Sequence, residues 1–401
     1  MNYVLFDDAG WSDLLPLTFT RPACEIRIGI LTIKEKWQLY LKKDCSYRTQ
    51  DYLSDKFSFH INEKLPSIFI NGRVCPDQIL VAAIKKLKPG QALYTYDVIR
   101  NADQKKPAYH GDNMALVAYC VTDPSSDPKK LKKLVVNGIS MVITYPWDIF
   151  SINKREILAD VGLLTKSRKS KPLPRSNRVI GKGKIFLEAG ASVECATFNT
   201  TGGPIYIGKD AVVMEGCLVR GGFALGEHSE LKMGAKIYGP TTIGPHCKVG
   251  GEINNSVIFG YSNKAHDGFL GNSVMGEWCN LGADTNNSNL KNNYGEVKAW
   301  NYTKQKMIGT GLQFCGLIMG DHSKAGINTM FNTGTVVGVN ANIFGGGFPP
   351  THIPSFAWGG KDKMETYAFD KAMEVAERVM SRRSLPLTSA DKKILKAISD
   401  K

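Results

Sequence analysis

Among the residues of this 401-residue chain that can do chemistry, His266 has the most suggestive neighbours. It stands in Lys264-Ala265-His266-Asp267-Gly268-Phe269-Leu270-Gly271, and Asn280 and Asn289 follow it, the second inside an asparagine-rich run. An imidazole titrates near neutral pH, so it can take a proton from an amine or hydroxyl as that atom attacks an acyl donor. Lys264, two residues before His266, is a candidate cation for the acceptor. Lys324 and Asn328, in Asp321-His322-Ser323-Lys324-Ala325-Gly326-Ile327-Asn328, can meet a cofactor phosphate, with a solvated turn as the plain alternative. His228 and His246 are 18 residues apart, but no third ligand stands in phase with them, so they read as solvated corner residues and no metal site is expected. Near the N-terminus, Arg21, Arg27 and Lys34 are candidate cations for a phosphorylated substrate.

A repeat must position the central residues. Ile207, Val213, Val219, Leu225, Leu231, Ile237, Ile243 and Val249 keep an unbroken spacing of six, and mostly small residues follow four positions after each. Gly208, Gly226 and Gly244 add a second period of 18. Six residues per strand and turn, three times per coil, describe a triangular left-handed parallel β-helix with aliphatics stacked inside. The pattern returns after residue 310 with Met319, Ala325, Phe331, Val337 and Ile343. Between the runs the phase slips, with Val257, Phe269, Met275 and Leu281 as the expected core positions. Residues 286–306 break it completely, and a loop leaving a coil there is placed to close over His266.

The segment before the repeat alternates strand-like runs (Tyr3–Phe6, Ser67–Asn71, Ala92–Tyr96, Met114–Val121) with helical ones (Ile30–Lys42, Asp77–Leu87, Tyr145–Leu163), the pattern of an α/β domain. We therefore expect an α/β domain over 1–165, a basic linker at 166–178, the β-helix over 179–360 and a helical cap over 361–401. Within that cap, Met364–Arg382 and Ser389–Ile398 are the expected helices. The net charge is +14, but its two basic runs are not interleaved with aromatics as a single-strand nucleic-acid groove is. No nucleic acid or membrane partner is expected. Nine cysteines without a CxxC pair suggest buried, reduced thiols, and with no signal-like N-terminus the expectation is a cytoplasmic protein.

The stretch Ala265-His266-Asp267-Gly268 through Asn280-Leu281-Gly282-Ala283 to Asn289 resembles the acetyltransferase half of the bifunctional glucosamine-1-phosphate acetyltransferase / N-acetylglucosamine-1-phosphate uridylyltransferase family. That resemblance implies a nucleotidyltransferase-like domain joined to a hexapeptide-repeat β-helix, a homotrimer with shared sites, and acetyl-CoA as cosubstrate. It further implies His266 as general base, Asn280 and Asn289 binding sugar or orienting the imidazole, and the amide of Ala283 meeting the thioester. Phe269 and Leu290 stand where the family has tyrosines, and its phosphate-holding Arg and Lys have no counterparts near Tyr238 and Asn254. Leu15-Pro16-Leu17-Thr18-Phe19-Thr20-Arg21-Pro22 resembles the end of the nucleotidyltransferase signature and a variant branch of that family. Its glycine-rich cradle is replaced by Asp8-Ala9-Gly10-Trp11-Ser12-Asp13, and Arg73 stands where a Mg²⁺-binding Asp is expected. The implied function is acetylation of an amino-sugar phosphate coupled to sugar-1-phosphate nucleotidyl transfer from UTP or dTTP with Mg²⁺. The alternative is a non-catalytic sugar-nucleotide-binding or assembly module.

Overall fold

The computed structural model describes residues 1–99, 108–136 and 141–400 and divides into two compact units. The first comprises Met1–Leu14, Thr20–Ile26 and Leu31–Tyr145. Its six-stranded sheet has the order Ser46–Arg48, Asn2–Phe6, Ser67–Asn71, Ala108–Val121, Gln91–Ile99, Lys132–Val135. The first three strands run parallel, and Ala108–Val121 pairs antiparallel on both sides. The helix over Ile33–Leu41 starts at Thr32, whose hydroxyl accepts from the Glu35 N–H while Glu35 takes the Thr32 N–H. Asp77 caps Gln78–Lys85 in the same manner, accepting from Leu80 N–H at 2.8 Å.

The second unit holds Pro146–Lys401 together with Leu15–Phe19 and Arg27–Ile30. It is a left-handed parallel β-helix whose three faces are sheets of six, nine and ten strands among the described residues. The first face runs from Arg178–Ile180 to Phe269–Gly271, the second from Ile185–Leu187 to His352–Ile353, and the third from Ser192–Val193 to Met364–Thr366. All eight aliphatics of the six-residue ladder are buried to 1% exposure or less. Gly208 permits the close approach of coils, since a Cβ there would lie 2.7 Å from Glu227 N and 2.8 Å from Gly226 C. The helix Pro146–Thr165 packs on the second face, whose outward residues Ala224, Thr242, Val257 and Val274 are buried. Arg27–Ile30 is stapled there: Gly29 N–H donates to Asn153 Oδ1 at 2.8 Å, Ile30 N–H to Asp160 Oδ2 at 2.7 Å, and Thr242 Oγ1 to Gly29 O at 2.7 Å. Gly29 has φ +71°, and a Cβ would fall 2.5 Å from Asp160 Oδ2, so only glycine fits this staple.

The phase slip has a geometric cause. Lys248 pairs with Asn263 and Asn263 with Asn280, so these coils are 15 and 17 residues long instead of 18. Ile258 and Leu270, not Val257 and Phe269, therefore occupy the core, and Phe269 turns outward. The next coil, from Asn280 to Lys324, contains an extra antiparallel hairpin, Lys298–Asn301 with Lys306–Gly309. That hairpin is no lid over His266. Trp300 stacks on His352 of the second face at 4.1 Å, and Tyr302 meets Phe19 edge-on at 5.2 Å.

At the C-terminus, Met364–Thr366 is a strand paired antiparallel with Ala357–Gly359, so the first terminal helix covers only Phe369–Ser381. The second, Ser389–Ser399, is capped by Thr388 and Asp391. No described helix is long and apolar enough to cross a membrane. The nine cysteines are free, and only Cys195 is exposed.

Candidate functional site

Each strand of the third face ends in a turn, and the register stacks these turns in consecutive coils. Asn263 pairs with Asn280, so Ala283 stands directly over His266, one coil away at roughly 4.8 Å. His266 is exposed, and among the described residues its imidazole has no hydrogen-bond partner. The Ala283 N–H likewise finds no acceptor among them, while its carbonyl accepts from Asn328 N–H at 2.8 Å. The fold thus brings His266, Ala283 and Asn328 into one column of turns. Asn280 and Lys324 are paired neighbours on the outward side of the same face.

Lys264 is placed differently from the expectation of a substrate contact. It pairs with Val249 on the core side of the third face, a position that aliphatics fill in neighbouring coils, and is wholly buried. Its ammonium donates to His266 O at 2.5 Å, Asp267 O at 2.9 Å and Gly250 O at 3.3 Å. Burial lowers its pKa to about 8 against the opposing pull of Asp267 and Asp284. Lys264 therefore braces the turn carrying His266 from inside the solenoid and does not face a ligand.

Asn289 also departs from expectation. Its Nδ2 donates to Asn272 Oδ1 at 2.8 Å and does not reach the His266 ring. Phe269 N–H donates to Asn286 Oδ1 and Gly271 N–H to Asn287 Oδ1, both at 2.8 Å. The six-stranded sheet ends at Phe269–Gly271, where these side-chain amides replace ladder bonds, and Asn286–Asn287 pairs onward in parallel with Met330–Phe331. The asparagine run thus links the six-stranded sheet to a two-stranded one through its side chains.

A cleft of about 480 Å³ opens at the other edge of the third face, and sequence reasoning missed most of its lining. Asn263, Asn280 and Lys324 form its floor, Tyr261 and Trp278 one wall, and the end of helix Phe369–Ser381 with Arg382 and Arg383 the other. Tyr261 and Trp278 belong to a column of stacked rings, His228, His246, Tyr261, Trp278 and His322, with neighbouring centroids 4.9, 4.8, 4.2 and 6.2 Å apart. The 18-residue spacing of His228 and His246 signalled this column, but the shortened coils hid its continuation. Lys324 donates to His322 O at 2.8 Å, and burial lowers its pKa.

In the first unit Arg21 is buried, with its carbonyl accepting from Trp11 Nε1 at 3.4 Å. Arg27 lies in the second unit and donates to Ile30 O, within the staple. Arg73 forms a bidentate pair with Asp8, both bonds 2.7 Å, and also donates to Ile143 O at 2.9 Å. Asn71 Nδ2 and Gly10 N–H complete the shell of the Asp8 carboxylate at 2.8 and 3.0 Å. Arg73 holds the Asp8 carboxyl below its usual range despite burial, whereas burial pushes Asp7 up to about 6.

These geometries can be set beside known proteins. Residues 3–169 match the sugar nucleotidyl transferase family. The chain is 30% identical over 225 residues to the bifunctional protein GlmU of Methanocaldococcus jannaschii, covering 54% of this chain and 46% of that one. It is 29% identical over 217 residues to the bifunctional sugar-1-phosphate nucleotidylyltransferase/acetyltransferase of Sulfurisphaera tokodaii, covering 54% and 48%. The chain thus spans about half the length of these curated relatives. Similar solved structures include LpxA, a UDP-N-acetylglucosamine acyltransferase of Bacteroides fragilis, at 12% identity and a TM-score of 0.30 over 56% of this chain and 96% of that one.

Proposed function

We propose that the β-helix transfers an acetyl group from acetyl-CoA to the amine of an amino-sugar phosphate. His266 takes the proton as the amine nitrogen attacks the thioester carbonyl, the C–S bond then breaks, and the coenzyme thiolate leaves and is protonated. The single observation carrying this reading is an exposed, unpartnered imidazole directly under the unpaired Ala283 N–H, a base beside a donor for the developing oxyanion. Asn280 and Lys324, on the same face, are the proposed acceptor and cofactor contacts, with Asn328 shaping the turn above Ala283. We propose a soluble cytoplasmic homotrimer with neighbouring copies completing the sites, as the resemblance to the hexapeptide-repeat acetyltransferases implies. A monomer at micromolar concentration by light scattering rules that assembly out. Release of CoA thiol by the full chain with a panel of amino-sugar 1- and 6-phosphates tests the reaction. Acetylated product with at least one is expected, and none with any sinks the proposal.

For the N-terminal unit we propose sugar-1-phosphate nucleotidyl transfer with UTP or dTTP as donor; the match to the sugar nucleotidyl transferase family supports the reaction class. The Asp8–Arg73 pair favours a second reading, a sugar-nucleotide-binding module with little turnover. Asp8 already accepts from Arg73, Asn71 and Gly10, so the residues at this position do not fit a Mg²⁺ ion. Pyrophosphate release from UTP or dTTP with sugar 1-phosphates decides between the two.

A further inference from the structure

The cleft on the third face gathers cations suited to a phosphate ester. Arg382 and Arg383 follow the helix Phe369–Ser381 and have no carboxylate partner among the described residues. Lys248 reaches the same space, shared with Glu230 at 3.1 Å, and Lys324 lies beside it. No carboxylate lines the cleft itself. The rings of Tyr261 and Trp278 stack on their neighbours along the solenoid, which leaves their edges, the electropositive part of a π-system, for a ligand. Opposite these donors stands a lone demand of the reverse kind. Asn263 Oδ1 is buried and accepts no hydrogen bond, a costly state unless a ligand donates to it.

We propose that this cleft binds a phosphate ester that also carries a hydroxyl or amine. Arg382, Arg383 and Lys248 take the phosphate oxygens, and Asn263 Oδ1 accepts from the ligand's O–H or N–H. Such chemistry has two sources in the proposed reaction, a sugar phosphate and the ribose phosphates of the coenzyme. The inference rests on the acyltransferase reading for this choice of probes, not for the site.

Calorimetric titration of the full chain with glucosamine 1-phosphate and, separately, adenosine 3′,5′-bisphosphate tests the proposal. At least one should bind, and the double variant Arg382→Gln/Arg383→Gln should weaken that probe about tenfold or more, as expected for lost charge-assisted bonds. Asn263→Leu should weaken the same probe with the melting temperature of the free protein preserved. The probe affected names the source. Acetyl transfer by His266→Ala reports on the base, whereas probe affinity of the arginine double variant reports on the cleft, so failure of the base reading and failure of this site are separable. Binding of neither probe, or equal affinity in wild type and the double variant, overturns the proposal.

Discussion

Replacing Lys264 by Met isolates what a buried ammonium does inside a β-helix. The Met side chain keeps an apolar stem in the core rung beside Val249 and deletes only the charge and its three donors. In the folded chain the ammonium titrates near 8 against an ordinary 10.5, a gap worth about 3 kcal/mol. The folded pKa is the lower one, so between pH 8 and 10.5 the unfolded chain holds a proton that the folded chain has released. Stability from this group therefore rises with pH across that window, by at most about 3 kcal/mol, and is flat below it. At pH 7 the variant escapes the burial cost but leaves His266 O and the more distant Gly250 O without partners, at about 1–3 kcal/mol for the closer one, while Asp267 O keeps Asp284 N–H at 3.1 Å. These nearly offset, so the change at pH 7 should be small. The assay is urea unfolding of both proteins from pH 7 to 10, in which all other titrations cancel in the difference. The wild type should gain on the variant only above pH 8, and ¹³C-lysine NMR should show one midpoint near 8. Parallel stability curves, or no lysine titrating below 10, would refute the reasoning. The freed turn should also lower acetyl transfer by about 10–100-fold, the usual cost of a slightly misplaced catalytic group.

Other predictions follow from the same geometry. The folded pKa of Asp7 is about 6 against 3.8, so its contribution to stability falls as pH rises through that window; Asp7→Asn should stabilise by up to about 3 kcal/mol at pH 7 and by nothing below pH 4 in urea titrations. Arg73→Met strands the carboxylate of Asp8 and should cost about 3–5 kcal/mol, with Arg73→Met/Asp8→Leu recovering much of it. Asn289→Ala should destabilise by about 1 kcal/mol through loss of its bond to Asn272, and should change acetyl transfer less than tenfold at saturating substrates.

The solenoid was legible because a packed triangular core admits only one period, and eight aliphatics obeyed it. The site was less so, for two reasons. Coils of 15 and 17 residues shift the phase without breaking any rule of pairing, so Phe269 looked like core and Lys264 looked like surface. A lysine at a core rung is invisible to periodicity, because only the fold reveals three carbonyls waiting for its ammonium. The asparagine run resembled a ligand-binding loop, yet its amides are consumed by the end of a sheet. The cleft joins residues from 248 to 383, a separation no local motif spans.

The most direct test of the acyltransferase account is the rate of acetyl transfer by His266→Ala. The account predicts a fall of about 10²–10⁴-fold with unchanged melting temperature. A variant that transfers acetyl groups at the wild-type rate contradicts it, and moves the chemistry to another part of the chain.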